Sequence, residues 1–160
     1  MKKTLLVGYG NLDRQDDGVA WHVLLKLLKK FDQTIPNHPD DGILDLESNP
    51  SFMFLLQLTP ELSEVVANYE KVCFIDAHTG NVPHDFQMTE VFPIFQNSPF
   101  THHMTPQTCL SLSNTLYGGN PKSVLVSIRG YEFDFSQNLS AKTQSLVNNA
   151  FDIIWEWLTN

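Results

Sequence analysis

Little in this sequence suits a membrane, a disulfide framework or a nucleic acid. It contains two cysteines. Cys73 and Cys109 stand apart inside apolar patterns, which argues against a disulfide or a zinc knuckle and fits packed thiols in a reducing compartment. Long hydrophobic runs are missing: the longest, Phe52 to Leu56, is far short of the ~20 residues of a membrane span. The amino-terminal stretch MKKTLLVGYGN reaches turn residues too early for a secretory signal, so a cytoplasmic chain is expected. Positive charge is scarce as well. Ten Lys and Arg face eighteen Asp and Glu, a formal net charge of -8, which leaves no footprint for nucleic acid and favours a neutral or basic partner. No repeat or low-complexity tract is present.

At 160 residues the chain reads as a single domain over 1–160, long enough to bury about two thirds of its unfolded surface. Its organising stretch is Leu5 to Val23, LLVGYGNLDRQDDGVAWHV, which reads as strand, tight turn, loop and helix. Such a turn delivers a loop to the carboxyl edge of an open α/β sheet, where ligand crevices form. A dinucleotide fingerprint requires a third glycine at position 13. That position is Asp13, followed by Asp16 and Asp17, and three carboxylates so close together repel a pyrophosphate and suit a cation. An ordinary explanation stands beside this one, because Asp is common at helix starts as a cap and dipole complement. One cap suffices for one helix, so that explanation fits Asp16 better than Asp17.

Further along, Val19, Val23, Leu27 and Phe31 recur at helical spacing, giving a helix over about 17–31 with Lys29 and Lys30 at its end. His22 lies off the apolar stripe and reads as solvated or supporting. A weak strand is expected around Ile43 to Leu46, a stronger one over Ser51 to Leu58, then a helix capped by Thr59 with Pro60 in its first turn and Leu62, Val65, Val66 and Tyr69 buried. KVCFID, Lys71 to Asp76, is an interior strand ending in an acid. Phe86 to Phe95 reads as an edge strand interrupted by Pro93. A third helix starts at Thr105 and Pro106, uses Leu110, Leu112 and Leu116 for contacts, and stops at Gly118. Ser123 to Ile128 is a strand, and a last helix from Ser140 buries Leu146, Ala150, Ile153, Ile154 and Trp157. Strands alternating with helices imply a three-layer α/β fold: a mostly parallel twisted sheet of about five strands, with helices on both faces.

In that layout Asp17, Asp76 and His102 can share one edge. Two carboxylates and an imidazole suit a borderline divalent ion such as nickel or zinc, and three protein ligands leave open positions. Each residue alone has a commonplace reading: a histidine before a helix as a surface or capping group, an Asp at a strand end as a loop-bonding one.

GYGNLDRQDDGVA at Gly8 to Ala20, FIDA at Phe74 to Ala77 and THHM at Thr101 to Met104, in this order over most of the chain, resemble the maturation endopeptidases of nickel-iron hydrogenases. The resemblance implies a soluble, monomeric protease. Its partner is the precursor of a nickel-iron hydrogenase large subunit, whose carboxyl-terminal extension it removes after nickel insertion. Carried over by position, the metal-contacting residues are Asp17, Asp76 and His102, with His103 as rival to His102 and with Asp17 and Asp76 as the catalytic pair. The nickel belongs to the substrate, although cadmium or zinc could fill such a site in a crystal. The metal would be read as a sign of readiness, or would act as a Lewis acid with an Asp as general base. Neither cysteine is placed to serve as a nucleophile. Ser48, Asn49 and Pro50 replace the paired glycines many members carry. Two other readings are open: a non-catalytic metal-dependent binding protein or chaperone for the same precursor, and a nucleotide-binding domain or other hydrolase on a similar α/β scaffold, resting only on Gly8 and Gly10.

Overall fold

Consecutive apolar residues in a strand need cover on both faces, and Leu5, Leu6 and Val7 have it, each with no exposed surface. They form β1 (Thr4–Tyr9). The computed structural model describes residues 1–95 and 103–160. The other strands are β2 (Leu44–Asp45), β3 (Ser51–Leu55), β4 (Lys71–His78), β5 (Phe86–Val91) and β6 (Lys122–Arg129). The helices are α1 (Val19–Lys30), α2 (Leu62–Val66), α3 (Pro106–Tyr117) and α4 (Ala141–Thr159).

One six-stranded sheet runs in the order β2-β3-β1-β4-β6-β5. β1 is parallel to β3 and β4, and β4 is parallel to β6. β2 and β5 are antiparallel to their neighbours at the two edges. The sheet thus has six strands where about five are expected. The weak segment around Ile43 pairs for two residues, because only Leu44 and Asp45 find partners on β3.

Alternation along the strands divides the core in two. Leu6, Cys73, Ile75, Val126 and Ile128 face one way, against Val23 and Leu27 of α1 and Ala150 and Ile154 of α4. Leu5, Val7, Val72 and Phe74 face the other way, against Leu62 and Val66 of α2 and Cys109 and Leu110 of α3. Each large side chain so buried contributes about 1.5–3 kcal/mol, an upper estimate because the unfolded chain already hides some surface. The result is the expected three-layer α/β fold.

Local chemistry fixes several helix ends. Thr105 Oγ1 accepts the Thr108 N–H at 3.2 Å, Pro106 opens α3, and Gly118 closes it at φ 70°. Ser140 caps α4 by accepting the Thr143 N–H. Two expectations fail here. Thr59 caps no helix: α2 is a five-residue segment whose cap position is Glu61. The N–H groups of Leu62 and Ser63 turn back to the carbonyls of Thr59 and Pro60, so a tight turn occupies the place expected for the first helical turn. Leu116 is 61% exposed. The buried stripe of α3 passes through Pro106, Cys109, Leu110 and Ser113 instead, and position 116 falls outside it.

From β1 the chain crosses through α1 to β3 on one side, whereas from β4 it passes through β5 and α3 to β6 on the other. Such a change of direction opens a crevice at the carboxyl ends of the two central strands. Tyr9 and Asp76 end up there.

Candidate active site

Asp76 is the sixth residue of β4, and the register sets Gly8 of β1 beside Ile75. One step further, Tyr9 and Asp76 lie on adjacent strands, and strand alternation turns both toward the face covered by α2 and α3. The Tyr9 hydroxyl faces the Asp76 carboxyl and interacts favourably with its charged form. Burial raises the Asp76 pKa from 3.8 to about 7, and the negative charge of Asp17 pushes the same way, while the Ala77 N–H and the Tyr9 hydroxyl hold it back. Burial and the Asp76 charge also push the Tyr9 phenol far above its ordinary value, so it stays a proton donor. Tyr9 is a site residue that the motif reading missed. The signal was available: with Leu5 and Val7 inward on one face, position 9 must follow them.

Asp17 arrives by a different route. It lies in a 3-10 turn, Gln15–Gly18, ahead of α1. Its carboxylate accepts the Asn11 N–H at 2.7 Å, which fastens the loop across its own base. Gly10 makes this closure possible. Its φ is +144°, and a Cβ there would meet the Asp17 carbonyl oxygen at 2.0 Å, which no side chain can accommodate.

The acidic triplet does not act as one cluster. Asp13 accepts from the Gln137 side chain, and its carbonyl takes the Ser136 N–H. Asp16 has no exposed surface and caps no helix of its own segment, since the cap position of α1 is Gly18. Its carboxylate accepts the N–H groups of Tyr131, Glu132 and Ser140 and the Ser140 hydroxyl at 2.6–2.9 Å. The Thr143 hydroxyl lies at 2.8 Å from both Asp16 and the Arg129 carbonyl. Burial opposes ionisation, but the Ser140, Glu132 and Tyr131 hydrogen bonds outweigh it and hold the Asp16 pKa below the usual carboxylate range. Only Asp17 of the three turns its charge toward Asp76. Their mutual repulsion meets no cation, because among the described residues neither has a basic group within 4 Å.

The expected third ligand, His102, lies outside the described residues. His103 is exposed and stands just before the Thr105 cap of α3. Among the described residues no three His, Cys, Asp or Glu side chains gather as a metal group. His22 is half-buried rather than solvated, and burial pushes its pKa down. Cys73 and Cys109 are buried free thiols. Burial raises the Cys109 pKa to about 12, so neither cysteine offers a thiolate, as expected. No helix among the described residues is long and apolar enough to cross a membrane.

No family profile and no curated protein sequence matches the chain. Solved structures do. The chain is similar to the hydrogenase maturating endopeptidase HybD from E. coli, with a TM-score of 0.65 and 18% identity over 98% of this chain and 92% of that one. It is equally similar to the NiFe hydrogenase maturation protease HycI from Thermococcus kodakarensis, with a TM-score of 0.65 and 17% identity over 99% and 94% of the two chains. For HybD from the same archaeon the TM-score is 0.59 and the identity 16%, over 98% and 99%. At such identities the likeness speaks for the backbone, and by its superposition over nearly the whole of both chains this chain has the fold of the NiFe hydrogenase maturation proteases.

Proposed function

We propose that this protein is an endopeptidase that removes the carboxyl-terminal extension of a nickel-iron hydrogenase large-subunit precursor once nickel is in place, recognising that nickel through Asp17, Asp76 and His102. The observation that carries the reading is the pairing of Asp17 and Asp76. Two carboxylates from different loops, repelling each other at the sheet's switch point without a neutralising cation among the described residues, make a site for a cation. Their oxygen donors, completed by an imidazole, suit a borderline divalent ion. The likeness to structures named as maturation proteases supports the same class of substrate.

In this reading the nickel is part of the substrate, and beside the scissile bond it supplies Lewis acidity. The protein's own groups bind and orient. Asn11 holds Asp17 from the loop, and Tyr9 holds Asp76 from the neighbouring strand, so both carboxylates meet the precursor already aimed. Among the described residues Asp17 and Asp76 are also the acids of the site loops that face each other and so could handle the proton of an attacking water, since Asp13 and Asp16 are engaged elsewhere. Both cysteines are packed away, which speaks against a thiol nucleophile and favours a direct attack by water.

The test is a processing assay on the large-subunit precursor from the same cells, with and without inserted nickel, read by intact mass. Loss of a short carboxyl-terminal peptide from the nickel-loaded form alone is the expected result. Asp17→Ala, Asp76→Ala and His102→Ala should each fold and fail to trim it. Stable association of wild-type protein with the loaded precursor and no cleavage would replace the peptidase by a precursor-binding protein.

A further inference from the structure

Arg129 ends β6, paired with His78, two residues beyond the pairing of Ser127 with Asp76. Alternation along β6 sets it on the same sheet face as Leu125, which packs with the α2 and α3 side of the core, and so on the face that carries Tyr9 and Asp76. Strands about 4.8 Å apart, rising about 3.3 Å per residue, put its backbone at roughly 8 Å from that of Asp76.

Its guanidinium is braced but not satisfied. On one side it lies against Gly80, where a Cβ would come within 2.7 Å of the Arg129 Cζ. On the other it stacks over the Tyr131 ring, 4.9 Å from Cζ to centroid. Among the described residues Nε is buried with no acceptor, and the guanidinium has no carboxylate within 4 Å. The acids and bases around it are otherwise engaged. Asp85 accepts the Tyr131 hydroxyl at 3.0 Å. His78 is closed off between the Gly80 N–H and the His84 carbonyl. A buried arginine nitrogen without a partner is uncommon, and the described residues provide no acceptor for it. Arginine's planar fork matches a carboxylate through paired hydrogen bonds.

We infer that Arg129 is a specificity residue of the peptidase site, binding an aspartate or glutamate side chain of the precursor two or three residues from the bond that is cut. This rests on the proposed substrate. The distance sets the register: an extended peptide covers about 3.3 Å per residue, so two to three residues span the separation from Asp76 to Arg129. In a protein of net charge -8, an unneutralised guanidinium beside the site is also what lets an acidic segment approach at all.

The experiment measures affinity of the nickel-loaded precursor for the wild-type protein, Arg129→Gln and Arg129→Lys. It is repeated with a precursor whose acidic residues near the cut are changed to their amides. Arg129→Gln should bind the native precursor roughly ten- to a hundredfold more weakly, the range for a hydrogen bond to a charged group, and should bind the amide precursor as wild type does. Arg129→Lys, which keeps the charge but not the fork, should recover only part of the loss. Melting temperatures should not fall in either variant. Unchanged affinity in Arg129→Gln, or the same loss with both precursors, overturns the inference. The two readings fail separately: trimming with no effect of Arg129 sinks this one alone, and wild-type binding without trimming sinks the peptidase while the affinity comparison still decides Arg129.

Discussion

Asp76→Asn should make the metal-free protein more stable, and the gain should grow with pH. The folded protein holds the Asp76 carboxyl at a pKa of about 7 against an ordinary 3.8, first through burial. An acid with a raised folded pKa binds a proton in the native state that the unfolded chain has already released. Native stability therefore falls as pH rises from about 4 to about 7, and the full penalty stays above that. At about 1.4 kcal/mol per unit, the penalty is on the order of 1–2 kcal/mol at pH 5 and about 4 kcal/mol at pH 8. Asparagine keeps the shape, still offers an oxygen to Tyr9, and carries no charge, so it should recover most of this. For a chain of this length the gain at pH 8 corresponds to roughly 10 °C in melting temperature. Urea unfolding of both proteins, stripped of metal with a chelator, at pH 5, 6.5 and 8 would measure it. A variant less stable than wild type at pH 8, or a difference that does not change with pH, would refute the argument that burial and the Asp17 charge strain this carboxyl.

Three further outcomes follow from the same geometry. Tyr9→Phe removes the hydroxyl that orients Asp76; calorimetric titration with nickel or cadmium should show roughly a 10- to 100-fold weaker site while circular dichroism and melting change little. Gly10→Ala forces a Cβ against the Asp17 carbonyl and demands a φ that alanine avoids, so it should lower stability by about 2 kcal/mol or more and abolish metal binding, read in the same titration. Asp16→Ala strands the donors of Tyr131, Glu132 and Ser140 and should destabilise by about 3–5 kcal/mol at neutral pH. Because the folded Asp16 pKa is depressed, that stabilisation is present above about pH 4 and is lost as pH falls further, so chemical unfolding curves of wild type and variant should converge in acid, the reverse of the Asp76→Asn pattern.

The elements that sequence reading places well are those set by neighbouring residues. KVCFID has enough β-branched and aromatic side chains to be a strand anywhere, and Thr105, Pro106 and Gly118 carry their own capping chemistry. Asp17 and Asp76 were readable as loop and strand-end acids for the same reason. What sequence could not supply is adjacency. That Tyr9 holds Asp76 depends on β1 and β4 being neighbours in one register, and that Asp16 belongs to the start of α4 depends on contacts with residues more than a hundred positions away. α2 failed for a subtler reason: Thr59, Pro60 and Glu61 suit a helix start and a turn equally, and the turn forms.

The fastening of Asp16 to the start of α4 has a dynamic consequence. Opening the loop that carries Asp17 strands a desolvated carboxylate and the donors of Tyr131, Glu132 and Ser140 together, so the loop cannot fray by itself. Its amides should exchange with solvent in step with those at the amino end of α4, as one cooperative unit. The loop that presents the site acquires, through one acid beside it, the protection of a core element.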